Sequence, residues 1–237
     1  MESIDKIRGT FDKRISEMKG TVPTAVIKRL PRYHRYLGDL LREGRLRISS
    51  AELSKIMGVT ASQIRQDLNC FGGFGQQGYG YNIKYLHSKI SELLGVSEGF
   101  RAVIVGAGNL GKALAATHMF ERRGVERLAL FDVNESIVGT EIYGIPVYHT
   151  DKLGEFCKSE KVDIGVLTVP KEAAYEVAMT MADAGVLGIW NFANMELSLP
   201  RKDVTVQNIH LGDSLMTLCY EIKSADRDIG KRGDKND

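Results

Sequence analysis

The sequence predicts an α/β protein in two parts: a small helical front end carrying a β-hairpin, then a larger parallel sheet with helices on both faces. Three observations predict it. Residues 49–70 read as two short helices joined at a glycine. "FGGFGQQGYGYN" follows, with five glycines between Gly72 and Gly80, and from Arg101 apolar strands alternate with helical segments. A chain of 237 residues can bury a core in each part.

Composition narrows the class. With 43% hydrophobic and 26% charged residues the chain is ordinary for a globular protein. No apolar run approaches the roughly 20 residues of a membrane span, and "MESIDKIRGTFDKRISEMKG" lacks the apolar stretch of a signal peptide. A cytoplasmic location without a membrane partner is expected. Three widely spaced cysteines, and five histidines without paired-ligand spacing, predict neither a disulfide framework nor a metal site. Net charge is +2, yet residues 1–85 hold 15 Lys/Arg against 8 Asp/Glu, whereas the remainder holds 17 against 22. A basic front end on an acidic body fits a part that meets a polyanion.

Ile4, Ile7, Phe11, Ile15 and Met18 fall at helical spacing and predict a short amphipathic helix. A second helix is expected from near Pro31, tolerated in a first turn, to Gly44, with Tyr33, Tyr36, Leu37, Leu40 and Leu41 inward. Ser49 or Ser50 caps a third, with Leu53, Ile56 and Met57 facing the core and Gly58 closing it. Thr60 or Ser62 opens a fourth, with Ile64 and Leu68 inward. Two short helices so joined make a helix-turn-helix, whose second helix lies in a DNA major groove; the hairpin after it takes the place of a wing. "IKYLHSKISELLGVSEGF" is a connecting helix. Strands follow at "AVIVG", "RLALFDV", "IPVYH", "VDIGVLTV", "GIWNF" and "VTVQNIH", with helices near 110–122, 151–158 and 171–184. A last helix, 212–225, carries Leu215, Leu218, Cys219 and Ile222 on one side, and the charged "DRDIGKRGDKND" is expected to be disordered.

Gly106, Gly108 and Gly111 match G-x-G-x-x-G after a strand and at the start of a helix. Gly106 permits the tight turn, Gly108 lets backbone N–H groups approach a pyrophosphate, and Gly111 lets helix and strand pack closely. The helix N-terminus adds favourable partial charge. Asp132 ends the next strand, 21 residues past Gly111. A carboxylate there bonds the adenosine ribose and repels a 2′-phosphate, so NADH and NAD+ are the expected ligands. A catalyst for hydride transfer is missing. Tyr85 and Lys89 precede the glycine motif, while His149, Lys171 and His210 stand alone.

On the helix after Thr60, the residues Ser62, Gln63, Arg65, Gln66 and Asn69 face away from Ile64 and Leu68. Arginine pairs with guanine, and Gln or Asn with adenine. Lys28, Arg29, Arg32, Arg35, Arg42, Arg45 and Arg47 precede it as phosphate contacts that position without specifying. The competing reading is a solvated helix on a protein-binding winged-helix module.

The order "KRLPRYHRYL", "SSAELSKIMGVTASQIRQDL", "FGGFGQQGYGYNIKYL", "VGAGNLGKAL", "FDVNESIVGTEIYGIPVY", "LTVP" and "NF" resembles the Rex family of bacterial redox-sensing transcriptional repressors over about residues 22–224. The resemblance implies a homodimer on palindromic operator DNA, released when NADH binds, and not an enzyme. Each subunit would hold an N-terminal extension (1–21), a winged helix-turn-helix domain (22–86) and a Rossmann doubly wound parallel sheet (87–211). A dimerisation helix (212–225), domain-swapped into the partner, and a disordered tail (226–237) would follow.

By motif, the resemblance gives the pyrophosphate to Gly106, Ala107, Gly108, Asn109, Leu110 and Gly111, and the ribose to Asp132. Thr168, Val169, Pro170, Asn191 and Phe192 would line the nicotinamide side. Ser62, Gln63, Arg65 and Gln66 would face the major groove, and Tyr79 and Gly80 would belong to the wing. Arg29 would reach from the DNA-binding domain toward the cofactor domain. Rex proteins pair a tyrosine on the first Rossmann helix with an aspartate before the swapped helix; here Thr117 and His210 fall at those places. Gln66, Gln76 and Gln77 stand where cations are frequent, which predicts a shallower salt dependence of DNA affinity. The alternatives are an NAD-dependent oxidoreductase with an incidental winged helix, and a DNA-binding scaffold indifferent to cofactor.

Overall fold

The computed structural model describes residues 22–70, 75–76 and 80–233. The expected N-terminal helix and Tyr79 lie outside the described residues. The chain divides into two units between Ser97 and Glu98.

The first unit contains α1 (Thr24–Arg42), β1 (Arg47–Ile48), α2 (Ser50–Met57), α3 (Ala61–Asn69), β2 (Gly75–Gln76), β3 (Gly80–Asn82) and α4 (Ile83–Leu93). Helix α1 begins at Thr24, so Pro31 sits inside it and not in its first turn. Proline there leaves the Ile27 carbonyl without its usual N–H partner, a loss of about 3 kcal/mol. Val26, Leu30, Tyr33, Leu37 and Leu40 nonetheless bury one continuous stripe. Each large apolar side chain so buried is worth roughly 1.5–3 kcal/mol, which outweighs the defect.

Helix α2 opens with a capping box: Ser49 Oγ accepts the Glu52 N–H at 3.1 Å, and the Glu52 carboxylate accepts the Ser49 N–H at 2.9 Å. The Ser49 backbone bond, then Arg45 and the Ser49 hydroxyl, pull the Glu52 carboxyl down to about 2. Gly58 closes the helix at φ 64° and Thr60 caps α3. Ile56, expected inward, is exposed, because Leu53 and Met57 already fill the face of this short helix. Strands β1, β3 and β2 pair antiparallel in that order, so the glycine-rich segment does return on itself. Ile83, Leu86 and Ile90 of α4 join the core of α1. That packing places the division after Ser97 rather than between 86 and 87.

The second unit contains β4 (Phe100–Val105), α5 (Asn109–Ala116), β5 (Val125–Asp132), β6 (Glu141–Ile142), β7 (Ile145–His149) and α6 (Leu153–Ser159). It continues with β8 (Ile164–Leu167), α7 (Lys171–Asp183), β9 (Gly188–Asn191), β10 (Thr205–Asn208) and α8 (Leu211–Gly233). The seven strands lie in the order β10-β9-β8-β4-β5-β7-β6, with β6 alone antiparallel among them. Alternate strand residues feed two cores. Val103, Val105, Phe131 and Leu167 pack against Leu153, Cys157, Ala178 and Met181 of α6 and α7. Ile104, Leu130 and Val166 pack with Ala115 and Phe120. Burial pushes the Cys157 thiol up to about 12.

Three departures have local causes. Strand β6, absent from the expected strands, pairs with the expected β7 in a hairpin that turns at Tyr143 (φ 54°) and Gly144 (φ 74°); tyrosine rarely adopts that region, which hid the turn from the sequence. Helix α5 stops at Ala116 instead of 122, and the chain turns so that Phe120 is buried edge-on to Trp190 at 6.2 Å. Helix α8 runs on to Gly233 through the segment expected to be disordered, which holds no proline to end it.

Candidate dinucleotide and DNA-reading sites

Register brings the expected cofactor residues to one edge of the sheet. Val105 pairs with Phe131 on one side and Leu167 on the other, and Leu167 pairs with Asn191. The residues that follow these four, Gly106, Asp132, Thr168 and Phe192, therefore gather at the carboxyl ends of adjacent strands. From β4 the chain proceeds to β5 and β7 in one direction, then to β8, β9 and β10 in the other. This edge is the topological switch point, where doubly wound sheets bind ligands.

Close approach shapes the glycine turn. Gly106 has φ 99°, and a Cβ there would lie 2.6 Å from the Thr168 carbonyl oxygen. A Cβ on Gly111 would lie 1.9 Å from the Gly106 carbonyl oxygen. The Thr168 hydroxyl donates to that same carbonyl at 2.7 Å. Gly108 instead faces open space and precedes the first turn of α5, so approach to the helix-start amides is unobstructed. Asp132 accepts the Ala107 N–H at 2.6 Å on one oxygen and the Asn134 N–H at 2.9 Å on the other. The carboxylate is thus held beside the turn with lone pairs left for further donors. Helix-start amides with an adjacent acceptor suit a pyrophosphate and a ribose, so the residues present fit an NAD dinucleotide.

On the side of β8 and β9, Asn191 is fully buried. Its Nδ2 donates to the Met195 carbonyl at 3.0 Å and Asn208 Oδ1 at 2.8 Å, and its Oδ1 accepts the Ala193 N–H at 3.0 Å. Asn191 therefore shapes the loop that carries Phe192, whose ring packs edge-on to Trp190 at 4.6 Å. Asn208 also donates to Glu196, whose other oxygen lies 2.8 Å from His210 Nε2. The His210 bond first, then that of Asn208, lowers the Glu196 carboxyl. The Thr117 hydroxyl donates to the Leu114 carbonyl at the end of α5. Of the isolated candidates for catalysis, His149 lies 3.1 Å from Asp151 and Lys171 lies 4.0 Å from Glu172. Among the described residues no three His, Cys, Asp or Glu side chains converge on a metal site.

In the first unit Ser62, Arg65, Gln66 and Asn69 are exposed on α3, opposite buried Ile64 and Leu68. Arg65 Nη1 donates to Ser50 Oγ at 3.1 Å. Arg32 and Arg35 flank the Tyr36 ring at 5.8 and 5.3 Å and lower its hydroxyl pKa through their bonds to it. Arg47 is exposed on β1. Gly80 has φ 68°, and a Cβ there would lie 2.6 Å from the Ile48 carbonyl oxygen.

Sequence reasoning missed Asp67. It lies on α3 between two core residues and is fully buried. One oxygen accepts from Arg29 Nε at 2.7 Å and the Tyr33 hydroxyl at 2.9 Å; the other accepts from Arg29 Nη2 at 2.7 Å and Gln63 Nε2 at 2.8 Å. Burial opposes the charge, but the bonds from Arg29, Gln63 and Tyr33 prevail and hold the Asp67 carboxyl below its ordinary range. Burial and then the Asp67 bond push the Tyr33 hydroxyl up. Arg29, placed by resemblance as reaching toward the cofactor domain, is clasped inside its own unit because a buried carboxylate needs a cation. A carboxylate at a core position of an amphipathic helix was the signal that could have found this cluster.

Residues 97–195 match a family model described as a CoA binding domain, and residues 21–69 match one described as a putative DNA-binding protein N-terminus. The redox-sensing transcriptional repressor Rex of Clostridioides difficile (strain 630) is 52% identical over 202 residues, 85% of this chain and 96% of its own. That of Clostridium botulinum (strain Eklund 17B / Type B) is 50% identical over 201 residues, 85% of this chain and 95% of its own. A crystal structure of RSP in complex with beta-NAD+ and operator DNA has a TM-score of 0.82 at 45% identity, covering 90% of this chain and 98% of RSP. RSP in complex with beta-NADH gives 0.81 at 43%, covering 89% and 98%. A helix-turn-helix unit joined to a Rossmann sheet with a glycine turn at its switch point, in a chain whose relatives are redox-sensing repressors, marks the class of dinucleotide-binding transcriptional regulators. The chain belongs to the Rex family of redox-sensing transcriptional repressors.

Proposed function

We propose that the protein is a homodimeric repressor that holds a palindromic operator when NADH is scarce and lets go when NADH occupies the glycine turn. The observation that carries this reading is the pairing, in one chain, of an open glycine turn at a sheet switch point with a capped helix presenting polar side chains. In this reading the turn from Gly106 to Gly111 holds the pyrophosphate through the helix-start amides of Asn109, Leu110 and Gly111, which Gly108 leaves approachable; Gly106 and Ala107 shape the turn with their N–H groups on Phe131 and Asp132, and Asp132 takes the ribose. Thr168, Val169, Pro170 and Phe192 line the nicotinamide side, and Asn191 sets the loop. Bound NADH supplies no chemistry here; it is a ligand whose differential affinity for two states moves the equilibrium. Ser62, Gln63, Arg65 and Gln66 read base edges, Arg32, Arg35 and Arg47 contact phosphates, and Tyr79 and Gly80 belong to the wing.

Helix α8 supports the dimer. Leu211, Leu215, Met216, Leu218 and Ile222 are each more than half exposed in the single chain. An apolar stripe of that length calls for a partner surface, and a second copy, exchanging this helix, supplies one with two-fold symmetry. Two recognition helices so related read half-sites about 34–36 Å apart or a multiple of that. Among the described residues no helix is long and apolar enough to cross a membrane; the protein works in the cytoplasm, beside the DNA it reads. RSP bound to beta-NAD+ and operator DNA together fits an oxidised form compatible with DNA. The test is anisotropy of a labelled inverted-repeat duplex titrated with NADH and with NAD+. NADH is expected to release the DNA and NAD+ to do so far less; equal effects would refute redox sensing.

A further inference from the structure

We propose that Asp67 is a positioning residue that orients Gln63 as a reader of adenine; this rests on the DNA-reading role of α3 proposed above. A free glutamine presents either its oxygen or its nitrogen at a given place. Gln63 has no such choice. An ionised carboxylate only accepts hydrogen bonds, so the amide must turn its nitrogen to Asp67, which it meets at 2.8 Å. One N–H is used there. Where the N–H so used is the one trans to the carbonyl, the other N–H and the carbonyl share the opposite edge, the donor–acceptor pair that matches N7 and N6 of adenine in the major groove. The amide makes no other hydrogen bond among the described residues. Gln63 lies in the first turn of α3, the part of a recognition helix that reaches bases, and its own N–H is pinned to Thr60 Oγ1 at 3.1 Å.

The anchor is itself immobile. Asp67 is fully buried and takes four hydrogen bonds, three of them from Arg29 and Tyr33 on α1. An apolar residue would pack the same position without the cost of desolvating a charge. What it would not provide is a fixed direction for the Gln63 amide.

The experiment selects a duplex from a random inverted-repeat library with the full-length protein, then replaces each base pair of a half-site singly and measures affinity for three proteins. The unmodified protein should discriminate an A·T pair at one position by at least roughly fivefold. Gln63→Ala, and Asp67→Asn, which offers both a donor and an acceptor, should each flatten that position to within about twofold while the rest of the profile and the salt slope persist. The Gln63 side-chain amide signals in NMR, assigned by their loss in Gln63→Ala, should show one proton shifted downfield and protected from exchange. That signature needs no Asp67 variant to fold. A uniform loss of affinity with the base profile unchanged, or two equivalent, rapidly exchanging amide protons, would overturn the inference while leaving DNA binding intact. Failure to select any duplex would overturn the DNA-binding reading and this inference with it.

Discussion

A methyl group at position 111 would stand 1.9 Å from the Gly106 carbonyl oxygen, far inside van der Waals contact. Gly111→Ala is expected to push α5 away from the turn and to destabilise the second unit by about 1–3 kcal/mol, read from urea unfolding. Gly108→Ala meets nothing within 4 Å. It should keep the fold yet weaken NADH binding in a fluorescence titration, which separates packing from phosphate approach. Asp67 gives a pH prediction. Its folded carboxyl is held below the ordinary range, so its stabilisation is fully present above roughly pH 4 and fades as pH falls through the depressed value. Asp67→Asn should lose about 3 kcal/mol at neutral pH, the lower end for a broken buried pair because Arg29 is partly exposed. Its urea midpoint should converge on that of the unmodified protein as pH falls below about 4 and on through the depressed value; a constant gap would mean that charge is not the source.

At the scale of the element, α1 carries a defect that its packing tolerates. Pro31 is exposed in mid-helix and leaves the Ile27 carbonyl without a helical partner. Pro31→Ala restores that N–H without touching the buried stripe. It is expected to raise the thermal midpoint of the first unit, by up to about 3 kcal/mol in stability; an unchanged or lower midpoint would show that the ring itself is needed. Helix α2 is held by its ends, through the Ser49–Glu52 box and Gly58. A segment of eight residues is too short to persist without such caps and a packed face.

For the whole molecule, the exposed stripe of α8 makes assembly and DNA affinity one question. Leu215→Asp with Leu218→Asp places charges on two side chains that are 61% and 51% exposed in the single chain. Such a change is harmless to a monomer and severe in an apolar interface. Sedimentation should show a monomer, with operator affinity falling because each subunit then meets only one half-site. A mass unchanged by both substitutions would exclude α8 from the interface. Cys219, exposed beside this stripe, offers an independent readout: its labelling rate should fall as protein concentration rises, while Cys157 stays unreactive until unfolding.

Patterns confined to a few consecutive residues were legible without coordinates. The strands around 101–105 and 125–132, the glycine turn with Asp132 behind it, and the caps Ser49 and Thr60 follow from local periodicity and local hydrogen bonding. What needed the tertiary structure were matters decided by distant partners. Asp67 is stabilised by an arginine 38 residues away, Asn191 is turned inward by Asn208 and the loop after β9, and α1 runs through Pro31 because its buried stripe outweighs a missing bond. Local spacing settles which element a residue joins. Whether a polar side chain within that element faces a ligand or its own core depends on which donors the fold brings beside it, because a buried charge or amide is stable only where those partners converge.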